Sequence, residues 1–244
     1  MDNAMYIGLS RQMTLRREMD VIANNIANAD TAGFKVENLM VRTEPKSPAR
    51  SIDGPKPIKF VLDDGVARNF TQGALRQTGG AFDLAIDGKG FFKIDTAQGE
   101  RFTRDGRFTL SPDGRLTNQA GDSVSGDAGE IVVDPAKGPV SIASDGTVSQ
   151  AGERVGKVGV FLFSGRAVLA KNGDNLFKNT SNEAPVADTA SRVRQGMLES
   201  SNVNPILQIT RMIEVSRAYE GVVKSMESNS DLSRRAVERL GKLA

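Results

Sequence analysis

The 244-residue sequence contains no cysteine, no histidine and no tryptophan. Without Cys or His there is no thiolate or imidazole metal site, no Cys nucleophile, no disulfide and no imidazole general base. Most familiar catalytic constellations are thereby excluded, and no cofactor or metal is expected. Charge of one sign is also scarce: 32 Lys and Arg against 30 Asp and Glu leave a formal net charge of +2, too small to argue for nucleic acid or an anionic membrane surface as partner. No apolar run is long enough to span a bilayer. The opening Met1-Asp2-Asn3 leads to Arg11, Arg16 and Arg17 where a signal peptide would be apolar, so no cleaved signal peptide is expected. The lack of thiols suits a protein that crosses unfolded into an oxidising compartment, where stray thiols pair wrongly.

The chain is organised around Met13 to Lys35, MTLRREMDVIANNIANADTAGFK. Leu15, Met19, Ile22 and Ile26 alternate spacings of four and three, which on a helix makes a narrow apolar seam of the coiled-coil kind and predicts a partner helix. Asn24, Asn25, Asn28, Asp30 and Gly33 favour helix ends and turns, so the helix is predicted to stop near Asn28. Asparagines inside an apolar helix also suit an inter-subunit hydrogen-bond ladder.

Val36 to Asn69 carries Pro45, Pro48, Pro55 and Pro57, which oppose helix and central strand alike, and reads as an extended connector; Ile58, Phe60 and Leu62 alternate as an edge strand would. From Thr71 onward, short apolar runs separated by glycine turns predict an all-β domain. Asp87-Gly88, Asp105-Gly106, Asp113-Gly114 and Asp145-Gly146 are strong turn signals. The phrases DGRFT and DGRLT between Arg104 and Thr117 predict a small meander. Gln72-Gly73-Ala74-Leu75 and Gln195-Gly196-Met197-Leu198 flank the domain and are expected to pair as strands at its neck.

Asn204 to Leu240 predicts a second helix, with Asn204 as N-cap, Pro205 in the first turn and Gly241 at the end. Its seam is read as Ile209, Met212, Ser216, Tyr219, Val223, Met226, Val237 and Leu240, extending roughly 50 Å at about 1.5 Å per residue. The fold class is therefore α+β: long N- and C-terminal helices paired in coiled-coil-like fashion around an inserted all-β domain. The expected divisions are 1–35 for the first helix and its terminal loop, 36–70 for the connector, 71–200 for the β domain and 201–244 for the second helix. Ile7, Leu9, Met13 and Val21 on the first helix, and Ile206, Leu207, Ile213, Val215 and Val222 on the second, are surplus to one seam. They suggest packing against neighbouring copies of the chain.

Carboxylate pairs such as Asp83 with Asp87, or Asp63 with Asp64, leave open an aspartate-dependent glycan hydrolase, although turn chemistry explains most aspartates that precede glycine. Gly88-Lys89-Gly90 lacks the rest of a phosphate loop. Arg101, Arg104, Arg107 and Arg115 read as the solvated face of a sheet, and Phe91-Phe92 as core.

Asp20 to Lys35, with the form D-V-I-A-N-N-I-A-N-x-x-T-x-G-F-K, resembles the N-terminal signature of the bacterial flagellar rod and hook proteins. TGGAFDLAIDGKGFF from Thr78, FTRDGRFTLSPDGRLTNQAG from Phe102 and SNVNPILQITRMIEVSRAY from Ser201 resemble core and C-terminal segments of that family, so the likeness covers most of the chain. The opening MDNAMYIGLSRQ and the length are most similar to a proximal-rod member, with a distal-rod or hook paralogue as the alternative; Pro205-Ile206 departs from several relatives. The resemblance implies a non-enzymatic rod subunit of the basal body that transmits torque across the periplasm, exported unprocessed by the flagellar type III apparatus. It implies partners among copies of itself and other proximal and distal rod proteins. The interface positions carried over are Leu15, Met19, Ile22, Asn24, Asn25, Ile26, Asn28, Phe34, Ile209, Met212, Ile213, Tyr219, Val223 and Met226.

Overall fold

The computed structural model describes residues 2–43, 61–127, 129–164, 169–181 and 183–241, apart from the side chains of 2–4, 236, 237 and 240. Ile58, Phe60 and all four connector prolines lie outside the described residues, as do the side chains of Val237 and Leu240. Two compact units emerge: one comprises residues 1–27, 37–68 and 204–244, the other 28–36 and 69–203.

The first unit is built on α1 (Asp2–Ala27) and α2 (Pro205–Gly241). Helix α1 stops where the asparagines and Asp30 offer side-chain competition for backbone hydrogen bonds. Asn204 starts α2 as expected: its Oδ1 accepts from Leu207 N at 3.2 Å, and Pro205 occupies a first-turn position where its missing N–H costs nothing. At 37 residues, α2 is about 55 Å long.

The helices run antiparallel, with Gly8 against Met226, Gln12 against Tyr219 and Asn25 against Gln208. Leu15, Ile22 and Val215 are buried between them, with Met19, Ile26, Met212, Tyr219 and Val222 packed around. On α1 this is the predicted seam. On α2 the seam follows Gln208, Met212, Val215, Tyr219, Val222 and Met226, so Val215 and Val222 belong to it and are not surplus, whereas Ile209 is half-exposed. Both series have three-four spacing and share Met212, Tyr219 and Met226. Apolarity alone favoured the series with Ile209, because the other passes through a buried glutamine that finds its partner only in the fold.

The expected connector contains a strand pair. β1 (Glu37–Thr43) and β2 (Val61–Arg68) form an antiparallel ladder from Glu37↔Arg68 to Thr43↔Val61, bulged between Leu39 and Val41. Both strands are free of proline; Pro45, Pro48, Pro55 and Pro57 all lie in the sequence between them. Ser10 Oγ on α1 donates to Val61 O at 2.6 Å, fastening β2 to the helix.

The second unit is β-rich, so the α+β class holds. It contains β3 (Leu75–Gln77), β4 (Leu84–Asp87), β5 (Phe91–Thr96) and β6 (Gly99–Thr103). β5 lies inside the largest sheet, pairing with β6 along its length, with Val160–Leu162 near its start and with Ser123–Gly126 near its end. Successive side chains of a strand point to opposite faces. Phe92 and Ile94 thus enter the main core with Leu84, Ile86, Leu116, Val124 and Ile131, while Phe91 enters a second core with Phe70, Phe102, Leu169 and Phe177. Rings of the second core meet edge to face, Phe70 and Phe91 with centroids 5.4 Å apart and Phe102 and Phe163 at 4.7 Å.

Thr109–Leu110 and Leu116–Thr117 pair antiparallel as the predicted meander. The neck phrases meet with an offset: β3 pairs antiparallel with Met197–Glu199, so that Leu75 faces Glu199 and Leu198 faces Arg76. Gly88, Gly114 and Gly146 take the positive φ that their Asp-Gly turns require. Gly106 is needed for space instead, because a Cβ there would lie 1.6 Å from Leu84 O.

Candidate assembly surface and buried ion network

The signature loop, residues 28–36, folds as part of the β unit. Gly33 N donates to Glu199 O at 2.7 Å, and Asn202 N to Phe34 O at 3.4 Å. Val36 N donates to Asn202 Oδ1 at 2.7 Å, and Asn175 Nδ2 to Ala32 O at 2.7 Å. Gly33 has φ +68, and a Cβ on it would lie 2.4 Å from the Arg104 carbonyl carbon and Asp105 nitrogen. Phe34 is buried beneath Lys171, whose Nζ stands 4.9 Å from the ring centroid.

At the end of this loop Lys35 enters a closed ion network. Its Nζ donates to Glu199 Oε1 at 2.5 Å and to Thr71 O at 2.8 Å. The side chains of Lys35 and Glu199 are both 0% exposed. Gly73 N also donates to Glu199 Oε1, and Arg104 Nη1 donates to Glu199 Oε2 at 3.0 Å. Arg104 Nη2 reaches Gly88 O at 2.7 Å while its guanidinium covers the Phe91 ring at 5.2 Å. Burial pulls the Lys35 ammonium below its ordinary value, opposed by the charge and hydrogen bond of Glu199 and assisted by the positive charge of Arg104.

Sequence reasoning missed this network. Arg104 and Arg101 are buried rather than on a solvated sheet face, whereas the side chains of Arg107 and Arg115 are nearly half exposed and pair with Asp105 and Glu130. The signal available was the ionic end of two motifs: Lys35 closes the signature and Glu199 follows the second neck phrase.

The expected interface residues fall into three groups. Leu15, Met19, Ile22, Ile26, Met212 and Tyr219 meet in the α1–α2 seam, with Val223 and Met226 half-buried further along α2. Asn25 is buried and works within its own unit: its Nδ2 donates to Glu37 O and Gln208 Oε1, and its Oδ1 accepts from Glu37 N at 2.9 Å. Asn28 accepts from Thr31 Oγ1, Phe34 is buried in the β unit, and Asn24 is exposed. Ile209 and Ile213 are half-exposed on α2, joined by Ile206 at 78% and Leu207. On α1, Met5, Tyr6, Leu9 and Met13 are likewise uncovered, Met13 at 65%.

Asp87 pairs with Arg194 and ends strand β4 just before a glycine turn, and Asp83 ties its backbone to Gly80 and Gly196. Long terminal helices with uncovered apolar side chains, joined to a β-rich unit, fit the class of structural subunits. The chain matches three family models along its length. These are "Flagella basal body rod protein" over residues 5–35, "Flagellar hook protein FlgE/F/G D1 domain" over 85–150 and "Flagellar basal body rod FlgEFG protein C-terminal" over 194–239.

The flagellar basal-body rod protein FlgF of Caulobacter vibrioides is 58% identical over 244 residues, covering 100% of both chains. The FlgF of Mesorhizobium japonicum is 35% identical over 99% of each. FlgG of Bacillus subtilis is 29% identical over 94% of this chain and 96% of its own. The chain belongs to the flagellar basal-body rod protein family, on the FlgF side of it, and is a structural subunit of the rod rather than an enzyme.

Proposed function

We propose that this chain is a proximal-rod subunit whose terminal helices, held as a coiled-coil-like pair, pack against other copies of itself and against neighbouring proximal and distal rod proteins to form a torque-bearing shaft. The observation that carries this reading is the set of large apolar side chains left uncovered on α1 and α2. A monomer gains nothing from exposing Ile206, Ile209 and Ile213 on one helix side, whereas an interface buries them at roughly 25 cal/mol per Å². Many such contacts acting together give stiffness that no single one supplies. The seam residues Leu15, Met19, Ile22 and Ile26 serve the interface indirectly, by fixing which faces of the pair point outward. The full-length likeness to FlgF proteins supports the proximal position, and the weaker likeness to FlgG proteins keeps the distal position as the second reading.

The rod crosses the periplasm, and in this reading the chain reaches it through the flagellar type III export apparatus without loss of a leader. Replacing both Ile209 and Ile213 by Asp tests the assembly reading. The purified variant keeps its helical content and thermal midpoint, because these side chains are half-exposed, but fails to enter basal bodies and abolishes swimming. Normal motility of cells relying on that variant would overturn the proposal.

A further inference from the structure

The sequence has one Asn-Gly step, Asn172-Gly173, in the turn between strands Leu169–Lys171 and Leu176–Asn179 of the β unit. Both residues are exposed. Asparagine is a thermolabile side chain. Its breakdown needs an accessible Cγ, a following main-chain nitrogen able to reach it, and a backbone free to turn. Asn172 meets each requirement. Its carboxamide makes no hydrogen bond among the described residues, whereas those of Asn25, Asn118, Asn175, Asn179 and Asn202 are all engaged. Gly173 N donates to no protein group among the described residues. The turn is closed on either side of it, by Asn172 N to Leu176 O at 2.9 Å and by Leu176 N to Gly173 O at 2.7 Å. The peptide unit joining the pair is thus held at neither end. Gly173, at φ +81 with open space where a Cβ would stand, leaves that unit free to rotate. The Asp-Gly steps, which can close the same ring, are built differently. Gly65 N donates to Asp63 Oδ1 at 2.8 Å and Gly88 N to Gln72 Oε1 at 3.2 Å. Gly114 N donates to Ser111 O and Gly146 N to Ala143 O, both at 2.9 Å. Gly106 is buried against Leu84 O, and Asp53-Gly54 lies outside the described residues.

We propose that Asn172 is a site of spontaneous deamidation, at which the folded chain converts to aspartyl and isoaspartyl forms. Gly173 N, deprotonated by hydroxide, forms a bond to Asn172 Cγ; the Cγ–Nδ2 bond breaks and ammonia leaves, giving a succinimide. Water then opens either carbonyl of that ring. One opening yields aspartate, the other isoaspartate, in which the main chain runs through the former side chain. No oxidant or reductant takes part. The product carries a new carboxylate two positions before Asp174, and the isoaspartyl form adds a main-chain atom within the turn that Asn172 N closes on Leu176 O. The same turn holds the signature loop: Asn175 Nδ2 donates to Ala32 O at 2.7 Å, while Thr103 Oγ1 donates to Asn175 O at 2.9 Å. Chain age is thereby written beside a contact of residues 28–36.

The test incubates the purified full-length chain at mildly alkaline pH beside a synthetic peptide of residues 171–178, which serves as the unprotected reference. Tryptic cleavage after Lys171 and Lys178 releases residues 172–178, whose fragment masses separate Asn172 from Asn175. Isoaspartate is measured in parallel by labelling with an isoaspartyl methyltransferase. The expected result is that Asn172 is the principal modified position and that the folded chain reacts within about tenfold of the peptide rate, because a site that needs no local opening keeps its intrinsic reactivity. Asn172→Gln, whose longer side chain closes the ring poorly, should remove most of the methylatable product. A folded chain slower than the peptide by more than about tenfold would show that the turn blocks attack and overturn the proposal. A principal modified position elsewhere, or labelling undiminished in Asn172→Gln, would overturn it equally.

Discussion

Lys35 Nζ lies 2.5 Å from Glu199 Oε1, two fully buried side chains 164 positions apart in sequence. Arg104 holds the other Glu199 oxygen at 3.0 Å, so this carboxylate lies between two buried cations. The pair fastens the end of the N-terminal signature to the strand Met197–Glu199, which ends the second neck phrase, within one unit.

Replacing Glu199 by Ala therefore takes the shared carboxylate away from two buried cations. Removing one partner of such a network costs about 3–5 kcal/mol, more than the network itself contributes relative to a packed apolar core. Chemical denaturation followed by amide hydrogen exchange of the β unit should show that loss. A Glu199→Gln variant, which keeps the shape and one acceptor, should fall between.

The direction of the Lys35 shift sets a pH dependence. Its native value lies below the ordinary 10.5, chiefly through burial. Between the native value and 10.5 the unfolded chain holds more protons at this site, so this group makes stability rise with pH across that window. Below the window Lys35 is charged in both states and its contribution is constant. Unfolding of the parent chain and of Lys35→Met, compared from neutral pH to about 10.5, should differ by that slope.

Gly33→Ala should unfold the docking of the signature loop. The positive φ of Gly33 costs an alanine about 1–2 kcal/mol. The new Cβ would also meet backbone atoms of Arg104 and Asp105 at 2.4 Å, and backbone cannot rotate away as a side chain can. Amide exchange at residues 33–36 should accelerate in the variant by at least the tenfold that 1.4 kcal/mol gives.

Asn25→Ala should loosen the start of β1. The Asn25 amide bonds both backbone groups of Glu37, at 2.7 and 2.9 Å, and no water-filled route replaces them at a side chain 1% exposed. Losing a buried partner costs about 1–3 kcal/mol. Faster exchange of the Glu37 amide with little change in the α1 amides would confirm the local role; unchanged exchange would refute it.

Periodicity, capping and turn residues by themselves determined the two terminal helices, their ends near Asn28 and at Asn204, the all-β character between them and the α1 seam, because each depends on residues a few positions apart. The signature residues also sufficed to place the chain among rod and hook proteins. What only the tertiary structure decided depends on groups far apart in sequence. Gln208 could join the α2 seam only because Asn25 meets it 183 positions away. Arg104 could be buried only because Glu199 lies 95 positions on. An isolated charge or amide reads as solvent-facing, since burial without a partner is prohibitive; once the fold supplies the partner, the same residue becomes an interior clasp.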